Sequence, residues 1–99
     1  MPAVSIIIPV YNVKPYLEGC VKSVLTQSFQ DFEVVLINDG ATDGSEKICD
    51  QFVACDSRLH VVHKINGGLS SARNAGLDWM FQNSGSEWLF FLDADDAIH

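Results

Sequence analysis

Trp88-Leu89-Phe90-Phe91-Leu92-Asp93-Ala94-Asp95-Asp96 sets an unbroken apolar run directly against three carboxylates. A run of this kind reads as a strand buried on both faces, as in parallel sheets covered by helices. The acids then fall where the strand leaves the sheet, and open α/β sheets bind ligands at the carboxyl ends of their strands. Crowded carboxylates repel one another, and a divalent cation relieves the repulsion. Alternation along an extended chain puts Asp93 and Asp95 on one side. The stretch is expected to be an acidic metal or polyol site at the sheet's rim, with a solvated acidic turn as the plain alternative. An EF-hand loop fits worse, because Ile98 stands at the position that needs Gly.

The same design recurs upstream. Val4-Ser5-Ile6-Ile7-Ile8 is apolar and β-branched, and Pro9 is expected to end its ladder. Asn12 can cap the helix that follows, with Pro15 in its first turn. Leu17, Cys20, Val21, Val24 and Leu25 give that helix one apolar face, from about Pro15 to Thr26. Glu33 to Ile37 is a second strand, ending in the polar Asn38-Asp39-Gly40. Asp43 and Glu46 have capping-box spacing ahead of a helix with Ile48, Cys49, Phe52 and Val53 on its core face. Arg58 to His63 is a third strand, and Asn66-Gly67-Gly68 a turn. Leu69, Ala72, Gly76, Trp79 and Met80 mark a third helix, stopped near Asn83-Ser84-Gly85.

The order is βαβαβαβ, which predicts a Rossmann-like α/β fold: a parallel sheet with helices on both faces. Right-handed crossovers and strand order 3-2-1-4 follow, with a crevice between the first and fourth strands. Pro9 to Asn12, Asp39 to Asp43, and Asp93 to Asp96 would line one rim. The fourth strand's outer flank would remain uncovered.

Composition narrows the partners. The 99 residues carry a net charge of −7, with no basic stripe to neutralise nucleic-acid phosphates. A phosphate-bearing ligand would need a cation beside it. No apolar run approaches the ~20 residues of a membrane span, and Met1-Pro2-Ala3-Val4 does not resemble a signal peptide. Cys20, Cys49 and Cys55 form no CxxC and fall on predicted apolar helix faces. Packed, reduced thiols in a cytoplasmic protein are expected. Zinc spacing with His60 or His63 is lacking.

The chain has no GxxxxGK[ST], no Gly in the turn after the first strand, and no GxSxG. P-loop, dinucleotide and nucleophile-elbow readings therefore fail. Acids at two strand ends, an aromatic at a third and the helical Arg73 suit a nucleoside diphosphate. Asp39 would accept from a base N–H, Tyr11 would line the base pocket, and a metal on the last acids would take the diphosphate. Plainer roles also fit: helix-entry packing for Tyr11, an ion pair with Asp78 or an acid on the rim for Arg73, and turn or cap geometry for Asp39 and Asp43. His60 and His63 read as surface partners, and Trp79 as core.

Five ordered stretches carry a resemblance. They are Val4-Ser5-Ile6-Ile7-Ile8-Pro9-Val10-Tyr11-Asn12, Ser23 to Phe29, Phe32 to Gly44, Asn66 to Gly76, and Phe91-Leu92-Asp93-Ala94-Asp95-Asp96. Together they resemble the family 2 glycosyltransferases over nearly the whole chain. The resemblance implies the GT-A fold and transfer of a sugar, with inversion, from a nucleotide-diphosphate donor to an acceptor hydroxyl. Polysaccharide or glycoconjugate synthesis is the expected setting. By the same resemblance Asp39 would contact the nucleobase, Pro9 and Tyr11 would wall its pocket, and Arg73 would lie near the nucleotide. Asp93 and Asp95 look like the ends of a DxD motif, with Asp95 on Mn²⁺ or Mg²⁺ and Asp93 on the ribose or the metal's water shell. Asn38 and Ala41 stand where the family often has Asp and Ser.

Residues 1–99 are then the donor-binding part of a glycosyltransferase domain. The acceptor-binding part, the general base and any contact with the cytoplasmic membrane face are expected beyond His99. A UDP-sugar is the expected donor, and a saccharide or lipid-linked molecule the acceptor. The rival readings are a nucleotidyltransferase and a non-enzymatic receiver-like module. The first wants a Gly-rich basic loop after strand one. The second wants its acid pair there.

Overall fold

The computed structural model describes residues 4–12, 14–26, 31–83 and 88–92. Among these described residues four strands alternate with three helices: β1 (Val4–Val10), α1 (Lys14–Leu25), β2 (Phe32–Asp39), α2 (Ser45–Cys55), β3 (Leu59–Lys64), α3 (Leu69–Asn83) and β4 (Trp88–Phe91). The strands form one parallel sheet in the order β3-β2-β1-β4, as the sequence predicts.

Alternation along each strand builds two cores. Ile6, Ile8 and Val10 of β1, with Phe32, Val34 and Leu36 of β2, pack against Leu17, Cys20, Val21 and Val24 of α1 and Cys49 of α2. Ile7, Val35 and Ile37 point the other way and meet Ala72 of α3, with Ala75 and Trp79 beside it. Full burial of each such aliphatic side chain stabilises by roughly 1.5–3 kcal/mol, so β1 and β2 are the energetic centre. No helix among the described residues is long and apolar enough to cross a membrane.

Several local expectations need correction. Pro9 does not end the β1–β2 ladder, which continues through Pro9 opposite Ile37 and Val10 opposite Asn38. In parallel strands a residue turns both backbone groups to the same neighbour. Ile7 accepts the Leu92 N–H, so Ile7 and, two residues on, Pro9 face β4 rather than β2. The missing Pro9 N–H therefore costs the β2 ladder nothing.

Strand β4 is not buried on both faces. Among the described residues it pairs with β1 alone and stands last in the sheet, with Trp88, Phe90 and Phe91 exposed. Strand β2 extends two residues further than expected, because Asn38 and Asp39 are polar yet buried. The capping box is displaced. Gly44, at φ 96°, is the N-cap of α2, and no side chain caps it. Asp43 Oδ1 instead accepts the Ser45 N–H and hydroxyl at 3.0 and 2.6 Å. Glu46 Oε2 is buried with no partner among the described residues.

Candidate functional site

Asp39 is the last residue of β2 and stands opposite Lys64, the last residue of β3. Its carboxylate gathers the β3–α3 turn. Oδ1 accepts from Lys64 Nζ at 2.7 Å and from the Gly67 N–H at 2.9 Å. Oδ2 accepts from the Gly68 N–H at 3.0 Å and, more weakly, from Asn66 Nδ2 at 3.3 Å. Asn66 Nδ2 also donates to the Asp39 backbone carbonyl at 2.9 Å. The Asp39 side chain is only 4% exposed. Burial pushes its carboxyl up, but the Lys64 ammonium and the Gly67 and Gly68 amides together outweigh burial and hold it below the ordinary range.

Glycine makes this close approach possible. Gly40 has φ 72°, and a Cβ on it would stand 2.7 Å from the Asn66 backbone nitrogen. A Cβ on Gly67 would stand 2.7 Å from Ser71 Oγ and 3.2 Å from Lys64 Nζ. Gly68 takes φ 90° just before α3 begins.

The neighbouring strand end carries Tyr11. Val10 pairs with Asn38 in register, so Tyr11 and Asp39 leave adjacent strands at the same level. Tyr11 is 50% exposed, an open ring rather than helix-entry packing, and Pro9 is half-buried just before it. Asn12 takes a left-handed backbone, φ 51°. Its Oδ1 accepts the Thr42 N–H at 2.8 Å and lies 3.4 Å from the Thr42 hydroxyl. The residue expected to cap α1 thus ties the loop after β1 to the loop after β2.

On the other side of β1, the Arg73 guanidinium of α3 lies over the Phe91 ring, 5.4 Å from its centroid. That contact sets Arg73 beside the end of β4. Asp93, Asp95 and Asp96 lie outside the described residues, and so does the metal site expected on them. Among the described residues no group of three or more His, Cys, Asp and Glu could hold a metal ion.

The sequence names Tyr11, Asp39 and Arg73, which stand at or beside the strand ends, and does not single out Lys64, the partner of Asp39. Its one available signal was position: Lys64 closes the third strand as Asp39 closes the second. Asn66, Gly67 and Gly68 carry the composition of a turn, which does not reveal their hydrogen bonds to Asp39.

The glycosyl transferase family 2 model matches residues 5–99. This chain belongs to that family. Among curated family members, the uncharacterized glycosyltransferase EpsJ of Bacillus subtilis is 43% identical over 98 residues, which is 99% of this chain and 27% of EpsJ. The chondroitin synthase of Pasteurella multocida is 36% identical over 99% of this chain and 10% of its own length. The chain therefore spans about a quarter or less of these relatives. Among solved structures, residues 1–349 of S. aureus TarS in complex with UDP-GlcNAc superpose with a TM-score of 0.83 at 31% identity, over 100% of this chain and 28% of that TarS fragment. The mannosyltransferase PcManGT of Pyrobaculum calidifontis, in complex with GDP-Man and Mn²⁺, gives 0.82 at 25% identity over 95% of this chain and 28% of its own. The GT-A architecture expected of family 2 is thus the architecture observed.

Proposed function

We propose that this chain is the donor-binding part of an inverting glycosyltransferase that moves a sugar from a nucleotide-diphosphate donor to an acceptor hydroxyl. The observation that carries the reading is the rim itself. Tyr11, Asp39 and Arg73 stand at the ends of β1 and β2 and beside the end of β4, where open α/β sheets receive ligands. The solved relatives in complex with UDP-GlcNAc, UDP and GDP-Man support a nucleotide sugar at this rim.

In this reading Asp39 accepts the N–H of a uracil or guanine ring, and Tyr11 and Pro9 form the wall against which the base lies. Arg73 sits on the diphosphate side. Asp93 and Asp95 would hold a divalent cation, Mn²⁺ or Mg²⁺, which would neutralise charge on the diphosphate leaving group. Two carboxylates leave most of an octahedral shell to phosphate oxygens and water, so metal and nucleotide would strengthen each other's binding. The general base that inversion needs is assigned to none of these residues. The free thiols of Cys20, Cys49 and Cys55 support a cytoplasmic setting for this reaction.

Calorimetric titration of the full-length protein with UDP, GDP, CDP and ADP, with and without Mn²⁺, tests the reading. UDP and GDP are expected to bind more tightly than CDP and ADP, and Asp95→Asn to abolish the metal dependence. Equal affinity for all four nucleotides removes Asp39 from the base pocket. Unchanged metal dependence in Asp95→Asn reduces the acidic cluster to a solvated turn.

A further inference from the structure

We propose that Lys64 is a positioning residue for nucleotide binding, which from β3 fixes the Asp39 carboxylate and docks the Ile65–Gly68 turn against the rim. The inference rests on the reading of Asp39 as the nucleobase acceptor and adds to it a residue that no motif singles out.

The ammonium sits in a built cage. Nζ lies 2.7 Å from Asp39 Oδ1 and 2.7 Å from the Ile65 carbonyl oxygen, so it spans the strand end and the turn. The Lys64 side chain is only 20% exposed. Gly67 lies close on another side, where a Cβ would stand 3.2 Å from Nζ. Among the described residues Lys64 is the charged side chain that touches Asp39. The other donors to that carboxylate are two backbone amides and one carboxamide.

A base N–H needs an ionised, aimed acceptor. Burial alone would favour the neutral acid, which presents an O–H where an acceptor is required. A cation at 2.7 Å opposes that, and it also fixes the carboxylate's rotation by holding one named oxygen. The lone pair that Asn66 occupies at 3.3 Å on Oδ2 is the weakest held of the four contacts. It is the one a base N–H would take. Lys64 on Oδ1 thereby decides which oxygen faces the ligand.

The test is titration of the full-length protein with UDP from neutral into acidic pH, for the parent, Lys64→Met, Lys64→Arg and Asp39→Asn. Lys64→Met is expected to bind UDP on the order of tenfold more weakly, the size of a lost hydrogen bond to a charged group. Its acid limb should also move to higher pH, because Asp39 then protonates more readily. Lys64→Arg keeps the cation and should keep the parental acid limb. Parental affinity and limb in Lys64→Met overturn the proposal. So does weaker binding with an unmoved limb, which would make Lys64 merely a support of the turn. If Lys64→Met does not fold, Lys64→Gln is read by the same two criteria. Asp39→Asn separates the two levels. Parental UDP binding in Asp39→Asn sinks the reading of Asp39 itself, whereas lost binding there beside an unaltered Lys64→Met sinks the role of Lys64 alone.

Discussion

The Asn38 carboxamide nitrogen lies 2.9 Å from Nδ1 of His63, and its oxygen accepts the Ala41 N–H at 3.0 Å. The second contact fixes the amide's orientation, so Asn38 is a donor toward His63. Nδ1 is then the acceptor nitrogen, and the ring proton sits on Nε2, 2.9 Å from Asp50 Oδ1. One imidazole thus joins the end of β2 to α2 on the face opposite Lys64.

The tautomer is a direct prediction. Long-range ¹⁵N–¹H spectra of the protein should show His63 protonated at Nε2. Asn38→Asp replaces the donor by an acceptor and should move the proton to Nδ1. A parent spectrum with the proton on Nδ1 would refute the assignment.

Two helical glycines should respond in opposite directions to alanine. A Cβ on Gly76 would stand 2.5 Å from Ile7 Cγ2, in the middle of the α3-side core. Overpacking of that kind costs about 1–3 kcal/mol and outweighs the roughly 1 kcal/mol that alanine gains in a helix. Gly19 has open space around its Cα, so Gly19→Ala should keep the gain. Thermal melts should show Tm falling for Gly76→Ala and rising for Gly19→Ala; the reverse order would mean that α3 and β1 pack less closely than described.

The thiols divide. Cys20 and Cys49 are buried, but Cys55 at the end of α2 is exposed, contrary to the expectation of three packed thiols. Burial, with Asp50 and then Glu46 adding negative charge nearby, pushes the Cys49 thiol up to about 12. A thiol reacts through its thiolate, so Cys49 should be inert at neutral pH. Alkylation of the native protein followed by mass spectrometry should label Cys55 alone among the three. Labelling of Cys49 before denaturation would contradict its burial.

Acid should unfold the protein in a defined window. Asp39 is held below the ordinary Asp value of about 3.9 by Lys64 and the Gly67 and Gly68 amides against the pull of burial. Asp56 is held below it chiefly by its hydrogen bond from Arg58. A carboxyl with a depressed folded pKa stabilises fully above its unfolded value, and the stabilisation is lost as pH falls through the folded one. Urea midpoints should therefore be flat above about pH 5 and drop below about pH 4. Asp39→Asn and Asp56→Asn should each flatten the drop. A pH-independent midpoint would mean that neither cluster survives in solution.

Strand order, helix order and the two-faced burial of β1 and β2 were legible, because β-branched runs at a βαβ period admit few arrangements. Polar residues were harder. Asn38 and Asp39 look like loop, yet they are buried strand residues whose side chains are satisfied by His63, Ala41 and the Asn66–Gly68 turn. Asn12 carries cap chemistry, but its partner Thr42 is thirty positions away in sequence. Such choices depend on which loops meet in space, which local patterns do not encode. Pro9 misled for a related reason: whether its missing N–H matters depends on which neighbour that residue faces.

The contact of Gly40 with the Asn66 backbone has a consequence for engineering. The loop after β2 and the loop after β3 have no room between them for even one methyl group. A side chain placed at Gly40 would make Asn66 yield. A graft that transplants residues 38–44 from another family member should therefore carry its own residues 64–68 with it, as a matched cassette.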